Sequence, residues 1–232
     1  AEPSGALAVA GMKNYIRENK VSGKTLIAIN CGANVSFDRL RHISERANYS
    51  EAREALFAVT IPEKKGSFLA FCKVLGKRSI TEFNYRYSSS KEAHIFVGLG
   101  LTEGKTERLK IQEVFKQHGY ETEDLTENDM AKLHIRHMVG GRLNSSEVER
   151  IYRFEFPERP GALLNFLNKM GQKWNISLFH YRNHGSAFGR VLCGFQIPHA
   201  LFPKFNEFLK SQGYQYAEET LNTAYNKFLN KL

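Results

Sequence analysis

The sequence has few of the features that mark a secreted, disulfide-stapled or membrane-bound chain. Its three cysteines, Cys31, Cys72 and Cys193, are far apart and odd in number. No CxxC pair occurs, so no disulfide framework is expected, and a reducing, cytoplasmic setting is favoured. No apolar run approaches the roughly 20 residues that a spanning helix needs, so no membrane partner is expected. The first residues, Ala1-Glu2-Pro3-Ser4, show no basic region ahead of an apolar stretch, and no signal peptide is read there. Acidic residues are the minority: 24 Asp and Glu stand against 33 Lys and Arg, a net charge of +9. That excess raises the question of a polyanionic partner. The basic residues are spread without a block of five or more, and they read as a solvated surface. His134 and His137 lie at i, i+3, and His180 and His184 at i, i+4, but no carboxylate completes either pattern. No metal site is expected.

What the chain does have is an internal repeat, which is the first thing to seek in a sequence of this length. Pro62, Gly66, Phe71 and Gly76 recur as Pro157, Gly161, Phe166 and Gly171, at an offset of 95. After a one-residue insertion, Ile80, Phe83, Tyr85 and Arg86 recur as Ile176, Phe179, Tyr181 and Arg182. The same register carries Ile95 to Leu99 onto Val191 to Phe195, and Gly119-Tyr120 later corresponds to Gly213-Tyr214.

Each copy divides into the same elements. Leu56 to Ile61 is β-rich and ends at Pro62. Phe68, Phe71, Cys72 and Leu75 have helical spacing, repeated by Leu163, Phe166, Leu167 and Met170. Gly76 and Gly171 stand where a helix C-terminal glycine belongs. Strands are expected over Ser79 to Tyr87 and Ala93 to Leu101, joined by the polar turn of residues 88–91. A second amphipathic helix carries Ile111, Val114 and Phe115, matched by Phe205, Phe208 and Leu209. A short strand follows near Tyr120 and near Tyr214, then a helical stretch over Glu127 to Met138 and over Thr223 to Leu232. The fold class is therefore α+β, two βαββαβ ferredoxin-like units paired edge to edge or back to back. The boundaries read as 53–139 and 150–232, with 140–149 as linker.

Residues 1–52 stand outside the repeat. Pro3 to Ile16 reads as a helix with Ser4 as N-cap, Leu26 to Asn30 as a short buried strand, and Val35 to Arg46 as a second helix. So small an α/β piece has no independent core, and it reads as the end of a larger domain.

Glu2 to Leu7 and Cys31-Gly32-Ala33-Asn34-Val35 resemble the end of the pyridoxal-phosphate, fold-type II catalytic domain of biosynthetic threonine ammonia-lyases, or threonine dehydratases. Arg53 to Leu56, Ile61-Pro62-Glu63, Glu82 to Arg86, Met130 to Arg136, Gly140-Gly141-Arg142 and Asn175 to Arg182 resemble that family's regulatory region. The resemblance covers essentially the whole chain. It implies tandem ACT-like domains that bind isoleucine as inhibitor and valine as the effector opposing it. It also implies a parent enzyme, typically tetrameric, that converts threonine to 2-oxobutanoate and ammonia. The family's Schiff-base lysine and glycine-rich phosphate loop have no counterpart here, so no catalytic residue is assigned and no turnover by this chain alone is expected. Pyridoxal phosphate belongs to the parent enzyme. The resemblance places only Cys31 against its pyridine nitrogen.

An amino-acid sensor needs donors for a carboxylate, acceptors for an ammonium and an apolar pocket. The loops Pro62 to Gly66 and Pro157 to Gly161 each deliver chain into a helix N-terminus, which suits a carboxylate. Gly66 and Gly161 permit close backbone approach. The resemblance marks Tyr85 and Tyr181 as effector-site residues and the neighbouring Arg86 and Arg182 as important for feedback. The alternative function is an RNA-recognition-like basic module, since that fold shares the βαββαβ order and Tyr85, Tyr87, Phe179 and Tyr181 lie on strands. Against it, neither third strand matches the ribonucleoprotein signature, and no nucleic-acid partner is expected.

Overall fold

Alternation of apolar and polar side chains turns each repeat into strands with one face for a core. The computed structural model describes residues 3–31, 40, 43–44, 47, 53–87, 91–138, 140, 148–157, 161–170, 173–183 and 188–229. They divide into two units, Ala1–Ser50 and Glu51–Leu232.

In the first unit, α1 runs from Pro3 to Asn19. Ser4 therefore lies inside the first turn rather than at the N-cap. Gly5 is buried, and a Cβ there would come within 2.5 Å of the Cys31 carbonyl oxygen, so only glycine allows that approach. Leu26 to Asn30 is not a strand: its backbone is irregular, and Ile27 and Ile29 are 89% and 78% exposed. A lone run of β-formers has no ladder to join among the described residues of this unit. Most of the expected Val35–Arg46 helix lies outside the described residues.

The second unit holds both repeats. The first comprises β1 (Glu54–Pro62), α2 (Ser67–Leu75), β2 (Ile80–Arg86), β3 (Glu92–Gly100), α3 (Lys105–Gln117), β4 (Glu121–Asp124) and the short α4 (Asp129–Leu133). The second comprises β5 (Glu149–Pro157), α5 (Ala162–Met170), β6 (Asn175–Arg182), β7 (Phe188–Gln196), α6 (Phe202–Ser211), β8 (Gln215–Glu218) and α7 (Thr223–Phe228). Gly76 ends α2 at φ 64°, its N–H bonded to the Cys72 carbonyl. Gly171, residues 88–90, most of the linker and residues 230–232 lie outside the described residues.

The eight strands form one antiparallel sheet in the order β4-β1-β3-β2-β6-β7-β5-β8. The pairing is thus edge to edge, and β2 and β6 cover each other's exposed ladders. Asn84 pairs with His180, its own counterpart in the repeat, so a pseudo-two-fold axis crosses the sheet there. Phe83 faces Tyr181 and Tyr85 faces Phe179. The seam closes symmetrically: the Tyr87 N–H bonds the Ser177 carbonyl at 2.6 Å and the Asn183 N–H bonds the Thr81 carbonyl at 2.8 Å. Thr81 and Ser177 are matching bulge residues.

One face of the sheet is covered by α2, α3, α5 and α6. Phe57, Phe71 and Phe115 pack there in the first repeat, and Phe154, Phe166, Phe195 and Phe205 in the second. Leu163, Leu167 and Met170 join this core at 6% exposure or less. The far face carries α4 and α7, with Leu56, Phe96 and Ala131 forming a separate small cluster under α4. The expected helix over Glu127 to Met138 is reduced to α4 and a 3-10 turn at Ile135–His137.

Candidate effector site

The seam gathers aromatic side chains from both repeats on the helix-covered face. Phe68 of α2 stacks on Tyr85 at 4.8 Å and meets Phe83 and Phe179 at 5.2 Å each. Phe156 stacks on Tyr181, with planes 18° apart. Tyr85 and Tyr181 are 5% and 1% exposed.

Tyr85 reaches the glycine loop of its own repeat. Its hydroxyl donates to the Glu63 carboxylate at 2.7 Å. Burial first, then the Glu63 charge, pushes its phenol far above the usual range, so it stays a neutral donor. The Glu63 N–H bonds the Lys91 carbonyl at 2.8 Å and pins the loop. Gly66 sits at φ 91°, a left-handed conformation that favours glycine, and no side chain caps the helix that starts there. In the second repeat Gly161 has φ 82°, and the space beside it is occupied by Lys77 of the first repeat, 3.4 Å from where a Cβ would lie. Lys65 donates to the Lys173 carbonyl at 3.1 Å. Each glycine loop therefore lies against the opposite repeat. Residues 158–160 of the second loop lie outside the described residues.

Arg86 and Arg182 point elsewhere. Successive strand residues project to opposite faces, so each arginine is separated from its neighbouring tyrosine by the sheet. Arg86 donates to Glu149 at 2.6 Å and to the Leu229 carbonyl at 2.9 Å. Glu149 also accepts from Tyr225 at 2.8 Å and from Ser177. Arg182 contacts the His137 ring at 3.0 Å. The matching node in the first repeat joins Arg136 to Glu82 at 2.8 Å and to Glu54 at 3.1 Å, and Glu54 also accepts from Thr81. The structure thus brings Tyr85, Gly66 and the glycine loop together. It places the arginines in a charged layer on the far face, where Arg86 ties one repeat to the other.

Glu63, Glu54 and Glu149 were not singled out from sequence. The signal was present: an acidic residue follows proline in both loops, and Glu54 and Glu149 open equivalent strands. A carboxylate beside an apolar run reads as the end of a strand until its buried partner is seen. Cys31 is exposed, and among the described residues around it Ile27 and Ile29 are exposed too.

Two ferredoxin-like units that share one sheet through their second strands make this a tandem ACT-like regulatory module. Residues 45–135 and again 140–229 match the family described as the C-terminal regulatory domain of threonine dehydratase. The chain is 55% identical to the biosynthetic L-threonine dehydratase IlvA of Escherichia coli, over 99% of this chain and 44% of that protein. It is 52% identical to the Burkholderia multivorans enzyme, over 98% and 45%. It is 44% identical to the mitochondrial threonine dehydratase of Saccharomyces cerevisiae, over 98% and 42%. The chain thus spans less than half the length of these relatives. It belongs to the family of threonine dehydratase C-terminal regulatory domains.

Proposed function

We propose that this chain is the allosteric regulatory region of a biosynthetic threonine dehydratase, and that it binds isoleucine as inhibitor and valine as the opposing effector. The observation that carries this reading is the placement of Tyr85. Its buried hydroxyl is held by Glu63 in the loop that opens α2, beside a seam built from both repeats. A branched aliphatic side chain suits the aromatic wall of Phe68 and Phe179. The start of α2 suits the ligand carboxylate, and Glu63 suits its ammonium. Tyr181 and Gly161 supply the related position in the second repeat.

The whole protein would convert threonine to 2-oxobutanoate and ammonia, with pyridoxal phosphate held by residues outside this chain apart from Cys31. It would act in the cytoplasm as a homotetramer. Residues 1–52 would belong to its catalytic domain, and 53–139 and 150–232 would form the two sensors.

An RNA-recognition reading meets a physical obstacle. Tyr85, Phe179 and Tyr181 are buried on the helix-covered face, so no base can stack on them. Thermal unfolding of the chain tests the proposal. Isoleucine or valine is expected to raise the melting temperature by ligand linkage while lysine does not. No shift with any branched-chain amino acid at high concentration would sink it.

A further inference from the structure

The far face of the sheet is built the same way in both repeats and filled differently. In the first, the Leu56 N–H bonds the Thr126 hydroxyl, and Asn128 caps α4. In the second, the Ile151 N–H bonds the Thr220 hydroxyl, and Asn222 caps α7. The same scaffold therefore presents equivalent positions to the sheet. Under α4, Phe96 is 8% exposed and packs with Leu56, Ala131, Leu125 and Ile135, which fills the hollow. The counterparts of Phe96 and Leu125 are Leu192 and Glu219, and the counterpart of Ala58 is Arg153. The smaller Leu192 and the outward ion pair leave a cavity of about 590 Å³. That is the size of a small-molecule site.

It is lined by Ile151, Leu192, Tyr225 and Phe228 of the second repeat, with Arg153 and Glu219 beside them, and also by Met138 and Gly140 from the chain between the repeats. Phe228 is 73% exposed. Arg153 holds Glu219 at 3.0 Å, and Asn222 donates to the other carboxylate oxygen at 2.8 Å. Here an apolar chamber sits beside one cation and one anion. That is the complement of a zwitterion with an apolar tail. The Arg153 side chain is 49% exposed, and exposed ion pairs contribute little to stability, so a ligand can part this one readily.

We propose that this cavity is a second ligand site, separate from the seam, for a free amino acid with a large apolar side chain. The ligand carboxylate replaces Glu219 on Arg153. Its ammonium binds Glu219, and its side chain lies against Ile151, Leu192, Tyr225 and Phe228. Tyr225 and Phe228 in its lining suit an aromatic side chain, which can pack against their rings. The site stands on the opposite face from Tyr85 and does not depend on the seam reading.

The test is titration of the isotope-labelled 232-residue chain with L-phenylalanine, followed by amide NMR. Saturable shifts are expected at Ile151, Leu192, Glu219 and Phe228. Leu192→Phe, which restores the filling residue of the first repeat, is expected to weaken binding at least tenfold. Arg153→Ala, a surface change that leaves the core intact, is expected to do the same. N-acetyl-phenylalanine amide, which lacks both charges, is expected to bind at least tenfold more weakly. No shifts on this face, shifts confined to the seam, equal affinity in both variants, or equal binding of the uncharged analogue would each overturn the proposal. Failure of isoleucine to bind anywhere would bear on the seam reading alone.

Discussion

Glu82 provides a direct test of the charged layer on the far face. Its side chain is fully buried in β2, one oxygen bonded to the Arg136 Nε at 2.8 Å and the other without a partner among the described residues. Burial pushes its carboxyl up to about 7, against the opposing pull of Arg136 and Arg182, and the nearby Glu54 adds to the rise. A folded-state value above the unfolded one means that the native chain holds this proton more tightly. Its ionisation therefore destabilises the fold. No penalty exists below about pH 4.5; it grows as pH rises and is complete above about 7. At about 1.4 kcal/mol per pH unit, the loss is of order 3–4 kcal/mol. Other carboxylates titrate in the lower part of this window, so the comparison must be with Glu82→Gln, which removes only this ionisation. Urea unfolding at half-unit steps from pH 4.5 to 8 is expected to show the stability of Glu82→Gln rising relative to the parent as pH increases. Parallel curves over that range would refute the reasoning.

Three further outcomes follow from the same geometry. Phe179→Ala removes a fully buried ring that meets Phe68 and Phe83 across the seam and Phe166 within its own repeat, and is expected to cost about 3–5 kcal/mol in denaturant unfolding. Arg86→Ala leaves Glu149, 3% exposed, without its cation, and is expected to lower stability by about 3–5 kcal/mol at neutral pH; a change below about 1 kcal/mol would contradict the buried pair. Of the three thiols only Cys31 is exposed, while burial raises the Cys72 and Cys193 thiols. An aromatic disulfide reagent should therefore titrate one thiol in the native chain and three after denaturation.

Most of the sheet was legible in the sequence because the repeat supplied each element twice. Helical spacing at Phe68, Phe71, Cys72 and Leu75 and strand alternation around Phe83 and Tyr85 were local signals, and local signals survive into the fold. The mode of pairing was not legible. Nothing local in β2 distinguishes an edge that meets β6 from one that stays open. Leu26 to Asn30 misled for a related reason, since β-propensity specifies a strand only where a partner exists. In the candidate site, Gly66 drew notice through its loop, whereas Tyr85 was marked only by the family resemblance. The separation of Arg86 from Tyr85 follows from the period of two and was available in principle. The buried Glu149, Ser177 and Tyr225 node was not, because its members lie far apart in sequence.

The measurement that bears most directly on the regulatory reading is isothermal titration of the 232-residue chain with L-isoleucine, set beside Tyr85→Phe. The expected result is saturable binding that weakens at least tenfold when the hydroxyl facing Glu63 is removed. No heat of binding, or one affinity shared by the parent chain, Tyr85→Phe and Tyr181→Phe, would contradict an effector site at the seam.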